Sequence, residues 1–368
     1  MSVIYDHPAR RARLATLLAA DGVDALLVTD LVNVRYLSGF TGSNGALLIA
    51  AGAADPADTP EAVIATDGRY TSQVADQAPD LPVVLARDTG PALVAGAGHL
   101  RRVGIEADAV TVAGLEALRA AAADVELVPL RGVVERLREV KDAGEFDQVE
   151  QACAIGDQAL AALVDGGRIV PGRTERQVAR DLEWAMFERG AEAVAFETIV
   201  AAGANSAVPH HRPTDTVLAA GDLVKIDFGA VAGGYHSDMT RTLVLGEPAD
   251  WQREIYEIVR TAQEAGCAAL TAGADLAGID AAARSIIDDA GYGENYVHGL
   301  GHGVGLEIHE APGIGATATG TLPCGATVTV EPGIYLPGRG GVRIEDTLVV
   351  TDTGSRSLTR TSRTLRVL

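Results

Sequence analysis

The chain has 368 residues, enough for two domains that each bury a core. Hydrophobic residues make up 47% and charged residues 22%, the balance of a folded chain rather than a disordered one. The formal net charge is −20, so neither a phosphate backbone nor an anionic membrane surface is expected as a partner.

The first residues, Met1 to Arg13, carry charges throughout and do not read as a signal peptide. No uncharged apolar stretch is long enough to span a bilayer, and a cytoplasmic protein is expected. Residues 6–21 read as a helix, with Leu14, Leu17 and Leu18 at helical spacing and Asp21-Gly22 as its stop. Short apolar strands follow at 25–29, 47–50, 62–66, 83–86 and 103–106, the Ala-, Asp- and Pro-rich stretch 52–60 reads as a loop, and a helix is expected over 112–122. Strands alternating with helices indicate an α/β domain. The charge-rich stretch 131–150 marks a boundary placed at residue 133. A helix is expected over 151–164. A second begins after Thr174, which has Gln177 three residues on, the pattern of a capping box. Beyond Ala191, strands and glycine loops alternate with helices near 249–271 and 275–290. Cys153, Cys267 and Cys324 are odd in number and far apart. They form neither a disulfide framework nor a CxxC site, and are expected to be buried small hydrophobes in a reducing compartment.

Four segments in the second part carry chemistry. In 222–245, two apolar runs flank Ala232-Gly233-Gly234, a hairpin signal, with Asp227 on one arm and Asp238 on the other. A loop centred between Ala232 and Gly233 would set the two acids directly opposite. A Gly233-Gly234 turn would make them diagonal neighbours on one face, and a three-residue loop would separate them. Facing carboxylates repel unless a proton or cation lies between them; the competing reading has one Asp at the turn and the other solvated. Residues 298–310 hold His298, His302 and His309 among four glycines, which disfavour a helix and favour an extended, tightly packed backbone with projecting imidazoles. In 327–333, Thr327, Thr329 and Glu331 alternate with valines; in 341–347, Arg343, Glu345 and Thr347 alternate with Val342 and Ile344. Each strand therefore puts an acid on a polar face, which a solvated sheet face would also explain.

Together these segments resemble the pita-bread metallopeptidases: methionine aminopeptidase, aminopeptidase P and prolidase. The matching pieces are Ile226-Asp227-Phe228-Gly229 with Ser237-Asp238-Met239-Thr240-Arg241-Thr242, His298 to Glu310, Val330-Glu331-Pro332-Gly333, and Val342-Arg343-Ile344-Glu345-Asp346. Tyr36-Leu37-Ser38-Gly39-Phe40-Thr41-Gly42-Ser43 is similar to the creatinase-type N-terminal domain of prolidase and aminopeptidase P, which methionine aminopeptidases lack. The resemblance implies an α/β (α+β) chain: a creatinase-like α/β domain over 1–133 and a pita-bread catalytic domain over 134–368, with a pseudo-twofold β-sheet and flanking helices.

The same resemblance implies a site. Asp227 and Asp238 would bind one divalent metal, and Asp238 and Glu345 would bridge to a second that also takes His302 and Glu331. Four carboxylates and an imidazole suit Mn²⁺ better than a thiolate site would, with Co²⁺ or Zn²⁺ as alternatives. A hydroxide shared by two metals about 3.5–4 Å apart would attack the carbonyl. Glu331 would handle the water proton, His309 the oxyanion, and His210 the region of the scissile nitrogen, with its neighbour His211 a bystander. His298 and Arg343 would grip the proline side of the substrate, the guanidinium fitting a carboxylate bidentately. The implied activity is hydrolysis of X-Pro dipeptides, as in short bacterial Xaa-Pro dipeptidases; the alternative is aminopeptidase P action on longer X-Pro peptides. A metal-free creatinase-like hydrolase and a non-catalytic binding module are the remaining readings. A homodimer is implied. Arg35-Tyr36 and Asp67-Gly68-Arg69-Tyr70 could reach a partner's site, although a packing aromatic and a turn explain them as well.

Overall fold

The computed structural model describes residues 5–52 and 61–368; beyond Gly52, the loop expected over 52–60 lies outside them. The chain divides into two compact units, Met1–Arg138 and Glu139–Leu368.

The first unit opens with helix α1 (His7–Asp21), capped by Asp6 at its start and by left-handed Gly22 at its end. Strand β1 (Ala25–Val28) is fully buried. Helix α2 (Leu31–Ser38) follows, with Asp30 accepting from the amides of Val32 and Asn33. Strands β2 (Gly45–Ala50), β3 (Ala62–Thr66), β4 (Val83–Leu85), β5 (Arg102–Glu106) and β6 (Glu126–Leu130) join β1 in one sheet of order β4-β3-β2-β1-β5-β6. Helices α3 (Thr71–Gln77), α4 (Thr89–Gly96) and α5 (Val112–Ala121) lie between them, and the short α6 (Glu135–Arg138) ends the unit. Tyr36 is buried beneath the Arg10 guanidinium, 4.3 Å from its ring centre, and Asp67 caps the turn at Gly68–Tyr70.

The second unit has two cores. In the first, α7 (Ala143–Asp165) and α8 (Glu175–Phe187) pack on β8 (Ile199–Ala202), β9 (Leu223–Phe228) and β12 (Met239–Val244). Both helices start with a reciprocal capping box: Asp142 with Glu145, and Thr174 with Gln177. The short β7 (Ala193–Val194), β10 (Ala230–Ala232) and β11 (Tyr235–His236) form a side sheet. In the second core, α9 (Asp250–Ala269) and α10 (Leu276–Asp289) pack on β15 (Thr327–Val330), β16 (Gly333–Leu336), β17 (Gly340–Arg343) and β18 (Asp346–Thr351). Strands β13 (Gly301–Gly303) and β14 (Glu310–Ile314) extend that sheet in the order β14-β13-β15-β18-β19, where β19 is Gly354–Ser357; β20 (Arg366–Val367) pairs with β12. A helix pair backing an antiparallel strand pair thus occurs twice, and the candidate acids lie at the ends of β9, β12, β15 and β17.

Cys153 is buried as expected, whereas Cys324 is exposed, its thiol donating to Asp352 Oδ1 at 3.1 Å. Among the described residues, no helix is long and apolar enough to cross a membrane.

Candidate active site

The hairpin has the Gly233-Gly234 turn. Ala232 pairs with Tyr235 across it, and both glycines have positive φ (54° and 77°), the backbone of a two-residue hairpin turn. The same register runs into the longer arms, where Asp227 pairs with Thr240. Asp238 is therefore the diagonal neighbour of Asp227 on one face, and both are buried.

The glycine–histidine segment is extended, not helical: Gly301–Gly303 form β13 between β14 and β15. A Cβ on Gly301 would lie 2.0 Å from the Thr329 carbonyl oxygen, so only glycine lets β13 approach β15 this closely. His302 is projected towards the acids. Its Nδ1 lies 3.0 Å from the Gly303 carbonyl, which only accepts, so the proton sits on Nδ1 and Nε2 keeps its lone pair. That Nε2 is 3.6 Å from Asp238 Oδ2 and 3.5 Å from Glu331 Oε1. Burial lowers the His302 pKa to about 4, so the ring is a neutral donor.

Strand β15 is buried on both faces, which overturns the solvated-face reading of its threonines. It ends where Glu331 turns into the site, and Thr329 Oγ1 accepts from the His302 amide at 3.1 Å. Glu345 follows β17. Its amide donates to the Thr240 carbonyl at 3.1 Å, and its Oε2 accepts from Thr240 Oγ1 at 2.6 Å. Asp238, His302 and Glu345 each bring a ligand atom to within 4.8 Å of the other two.

This acid cluster is electrostatically incomplete by itself. Burial, then Glu345, Asp227 and Glu331, push the Asp238 carboxyl well up; burial, then Glu331 and Asp227, do the same to Glu345. Burial raises Glu331 to about 8, against the pull of Arg343. Asp227 Oδ1 and Asp238 Oδ1 are buried with no hydrogen-bond partner among the described residues. Orphaned carboxylate oxygens converging with a neutral imidazole are what a hard divalent cation requires of its donors.

A cavity of about 310 Å³ opens onto the cluster. Its wall includes all five predicted ligands together with His210 and His309. The His309 ring stands edge-on to His302, 4.5 Å between centres. His210 is exposed overall, and the partial desolvation of its ring, followed by the Arg343 charge, lowers its pKa. His298 and Arg343 are not on this wall. Arg343 is 2% exposed, with Nε donating to Thr240 Oγ1 (3.0 Å), Nη1 to Tyr335 Oη (2.8 Å) and Nη2 to Asp227 Oδ2. His298 has Nε2 2.8 Å from Tyr335 Oη and Nδ1 2.8 Å from the Gly299 carbonyl.

Sequence reasoning missed two residues. Lys225 is fully buried and donates to the carbonyls of Val208 (2.6 Å) and Pro209 (3.0 Å), fixing the backbone before His210. Glu175, in the first turn of α8, accepts from the Ala202 and Thr214 amides, Asn205, Thr214 Oγ1 and His211. Burial opposes its ionisation, but these donors outweigh it and hold the carboxyl below its usual range. The expected bystander His211 therefore ties the His210 loop to α8. A buried lysine two residues before Asp227 and an acid just after the Thr174 cap were the only signals.

Residues 147–352 match the metallopeptidase family M24, and residues 10–140 match the creatinase/prolidase N-terminal domain. The chain is 37% identical to a Xaa-Pro dipeptidase of Pyrococcus furiosus over 97% of this chain and 99% of that protein. Among solved structures, a Xaa-Pro dipeptidase from Bacillus anthracis superposes with TM-score 0.93 at 38% identity, covering 99% of this chain and 100% of that one. An X-Pro aminopeptidase from Thermotoga maritima superposes with TM-score 0.86 at 35% identity, covering 97% and 99%. Fold, sequence and acid cluster agree: the chain belongs to metallopeptidase family M24, preceded by a creatinase/prolidase-type N-terminal domain, and is a hydrolase of a family that works with divalent metal ions.

Proposed function

We propose that this protein hydrolyses the X-Pro bond of dipeptides, with Asp227, Asp238, His302, Glu331 and Glu345 holding two divalent ions, Mn²⁺ by preference. The observation that carries the reading is the convergence of these five side chains, from four separate segments, on one cavity with two orphaned buried carboxylate oxygens. Two such ions supply a Lewis acid for the scissile carbonyl and a water acidified to near neutral pH.

The chain's own groups do the rest. Glu331, ionised when it holds the metals, takes the proton of the attacking water. His302 Nε2 donates its lone pair while the Gly303 carbonyl fixes its tautomer. His309 donates to the developing oxyanion, and His210 faces the leaving proline nitrogen. Arg343 and His298 act as braces behind the wall: Arg343 orients Asp227 and Thr240, and Tyr335 links the two. We keep the domain boundary at residue 133, inside the first compact unit and before its end at Arg138. The protein works in the cytoplasm, a setting in which three unpaired cysteines are stable, and as a homodimer, so sedimentation should give twice 38.0 kDa.

A cavity of about 310 Å³ lies at the small end of small-molecule sites, which suits a dipeptide. The likeness to an X-Pro aminopeptidase favours a second reading, release of the first residue from longer X-Pro peptides. The test is Ala-Pro hydrolysis by chelated protein before and after Mn²⁺ is restored, with Glu345→Ala as control and Ala-Pro-Ala-Ala as competing substrate. Rescue of wild type alone on Ala-Pro supports the dipeptidase; a clear preference for the tetrapeptide transfers the assignment to the aminopeptidase.

A further inference from the structure

A dipeptide differs from every longer substrate by a free carboxylate one residue beyond the scissile bond. The four acids on the cavity wall, Asp227, Asp238, Glu331 and Glu345, are assigned to the metals and offer that charge no donor, so a separate cation is needed. The two buried basic side chains nearby are already committed. Arg343 is 2% exposed and gives its guanidinium to Asp227, Tyr335 and Thr240. Lys225 is fully buried, which lowers its pKa to about 6, and it gives its amino group to two backbone carbonyls. Redirecting either would leave a buried charge or acceptor unpaired, which costs about 1–3 kcal/mol or more.

Among the described residues, Arg212 is the one arginine on the wall of this cavity. It lies two positions after His210. Its side chain is 82% exposed, and it pairs with Glu197, 60% exposed and also on the wall, at 2.9 Å. An ion pair so open to solvent is worth about 0–1 kcal/mol, so a substrate carboxylate can displace Glu197 at little cost. The guanidinium then offers two parallel N–H donors to the incoming carboxylate.

The geometry points to Arg212 as the specificity residue that receives the C-terminal carboxylate of a dipeptide, with Glu197 as the internal anion that holds the guanidinium when no substrate is bound. This deepens the X-Pro reading and rests on it. Length preference is then set at the cavity mouth, apart from the groups that cleave the bond.

The experiment compares kcat/KM for Ala-Pro and for Ala-Pro amide, which lacks the terminal charge, in Mn²⁺-loaded wild type, R212A, R212K and E197Q. Wild type is expected to favour the free acid by up to about fivefold, the range for an ion pair this open to solvent. R212A should abolish most of that ratio through KM for Ala-Pro, with kcat held, and R212K should retain part of it. E197Q should move the other way, lowering KM for Ala-Pro by up to about fivefold as the competing anion is removed. A merely structural role for Arg212 would depress both substrates together and would not predict opposite signs for R212A and E197Q. A free-acid preference that survives in R212A overturns the role of Arg212 while leaving the X-Pro reading intact. Wild type that cleaves neither substrate overturns the reading and the inference with it.

Discussion

Thr240 holds Glu345 twice: its carbonyl accepts the Glu345 amide at 3.1 Å, and its hydroxyl donates to Glu345 Oε2 at 2.6 Å. The same hydroxyl accepts from Arg343 Nε at 3.0 Å, so its single proton is directed towards the carboxylate. Thr240→Val keeps the shape and removes the donor. Partners behind a metal ligand typically contribute 10- to 100-fold in affinity, so Mn²⁺ binding should weaken by about that factor. Calorimetric titration of the chelated protein reads this directly, and unchanged affinity would show that Glu345 needs no such orientation.

Stability without metal should fall as pH rises. Burial raises Glu331 to about 8 and pushes Asp238 and Glu345 up as well. Between the unfolded carboxylate pKa, about 4.3, and about 8, the folded state holds protons that the unfolded state has released, so the free energy of unfolding declines with pH. The chelated protein should therefore have a lower denaturation midpoint at pH 8 than at pH 5. Mn²⁺ should raise the midpoint more at the higher pH, because it takes the place of those protons. Glu331→Gln should flatten the decline. A midpoint in the chelated wild type that is level or rising over this range would show that the acids are ionised without a cation.

Much of this site was legible because its parts are local. The Gly-Gly turn has few permissible geometries, and the one found sets Asp227 and Asp238 diagonally across one face. The glycines around His302 excluded a helix for steric reasons that the β13–β15 approach makes explicit. Helix α1 was legible from its leucine spacing and its glycine stop. Helix α2 was not, because its eight residues bury Asn33, Val34 and Tyr36 without a long periodic pattern, and only Asp30 announces its start. Glu175 was missed for another reason: it reads as an ordinary first-turn acid, and its donors at Ala202, Asn205, His211 and Thr214 come together only through tertiary contacts. The partners of Arg343, at Thr240, Tyr335 and Asp227, likewise lie on other segments, so strand alternation alone could not specify them.

Gly301→Ala should separate β13 from β15. The added carbon would meet the Thr329 carbonyl at 2.0 Å, and a backbone atom in a paired strand cannot rotate away. Overpacking of this kind costs about 1–3 kcal/mol, read as a lower urea midpoint. His302 is the next residue, so metal affinity should fall with stability. A variant as stable as wild type would mean that the strand pair can open without loss.

Glu175→Ala tests whether the His210 loop is held from α8. The carboxylate is buried, and its loss would strand the amides of Ala202 and Thr214 and the side chains of Asn205 and His211. Unsatisfied buried donors cost about 1–3 kcal/mol each, so destabilisation of about 3 kcal/mol is expected, relaxed in part by water reaching the loop. Glu175→Gln keeps one acceptor oxygen and should recover part of it. The catalytic effect should differ from that of a lost metal ligand. Mn²⁺ affinity should stay near wild type, since Glu175 is not among the five proposed ligands, while kcat on Ala-Pro falls as His210 loses its fixed backbone and KM rises as Arg212 does. A Glu175→Ala protein that keeps full kcat would show that the loop is ordered by Lys225 and Pro209 alone.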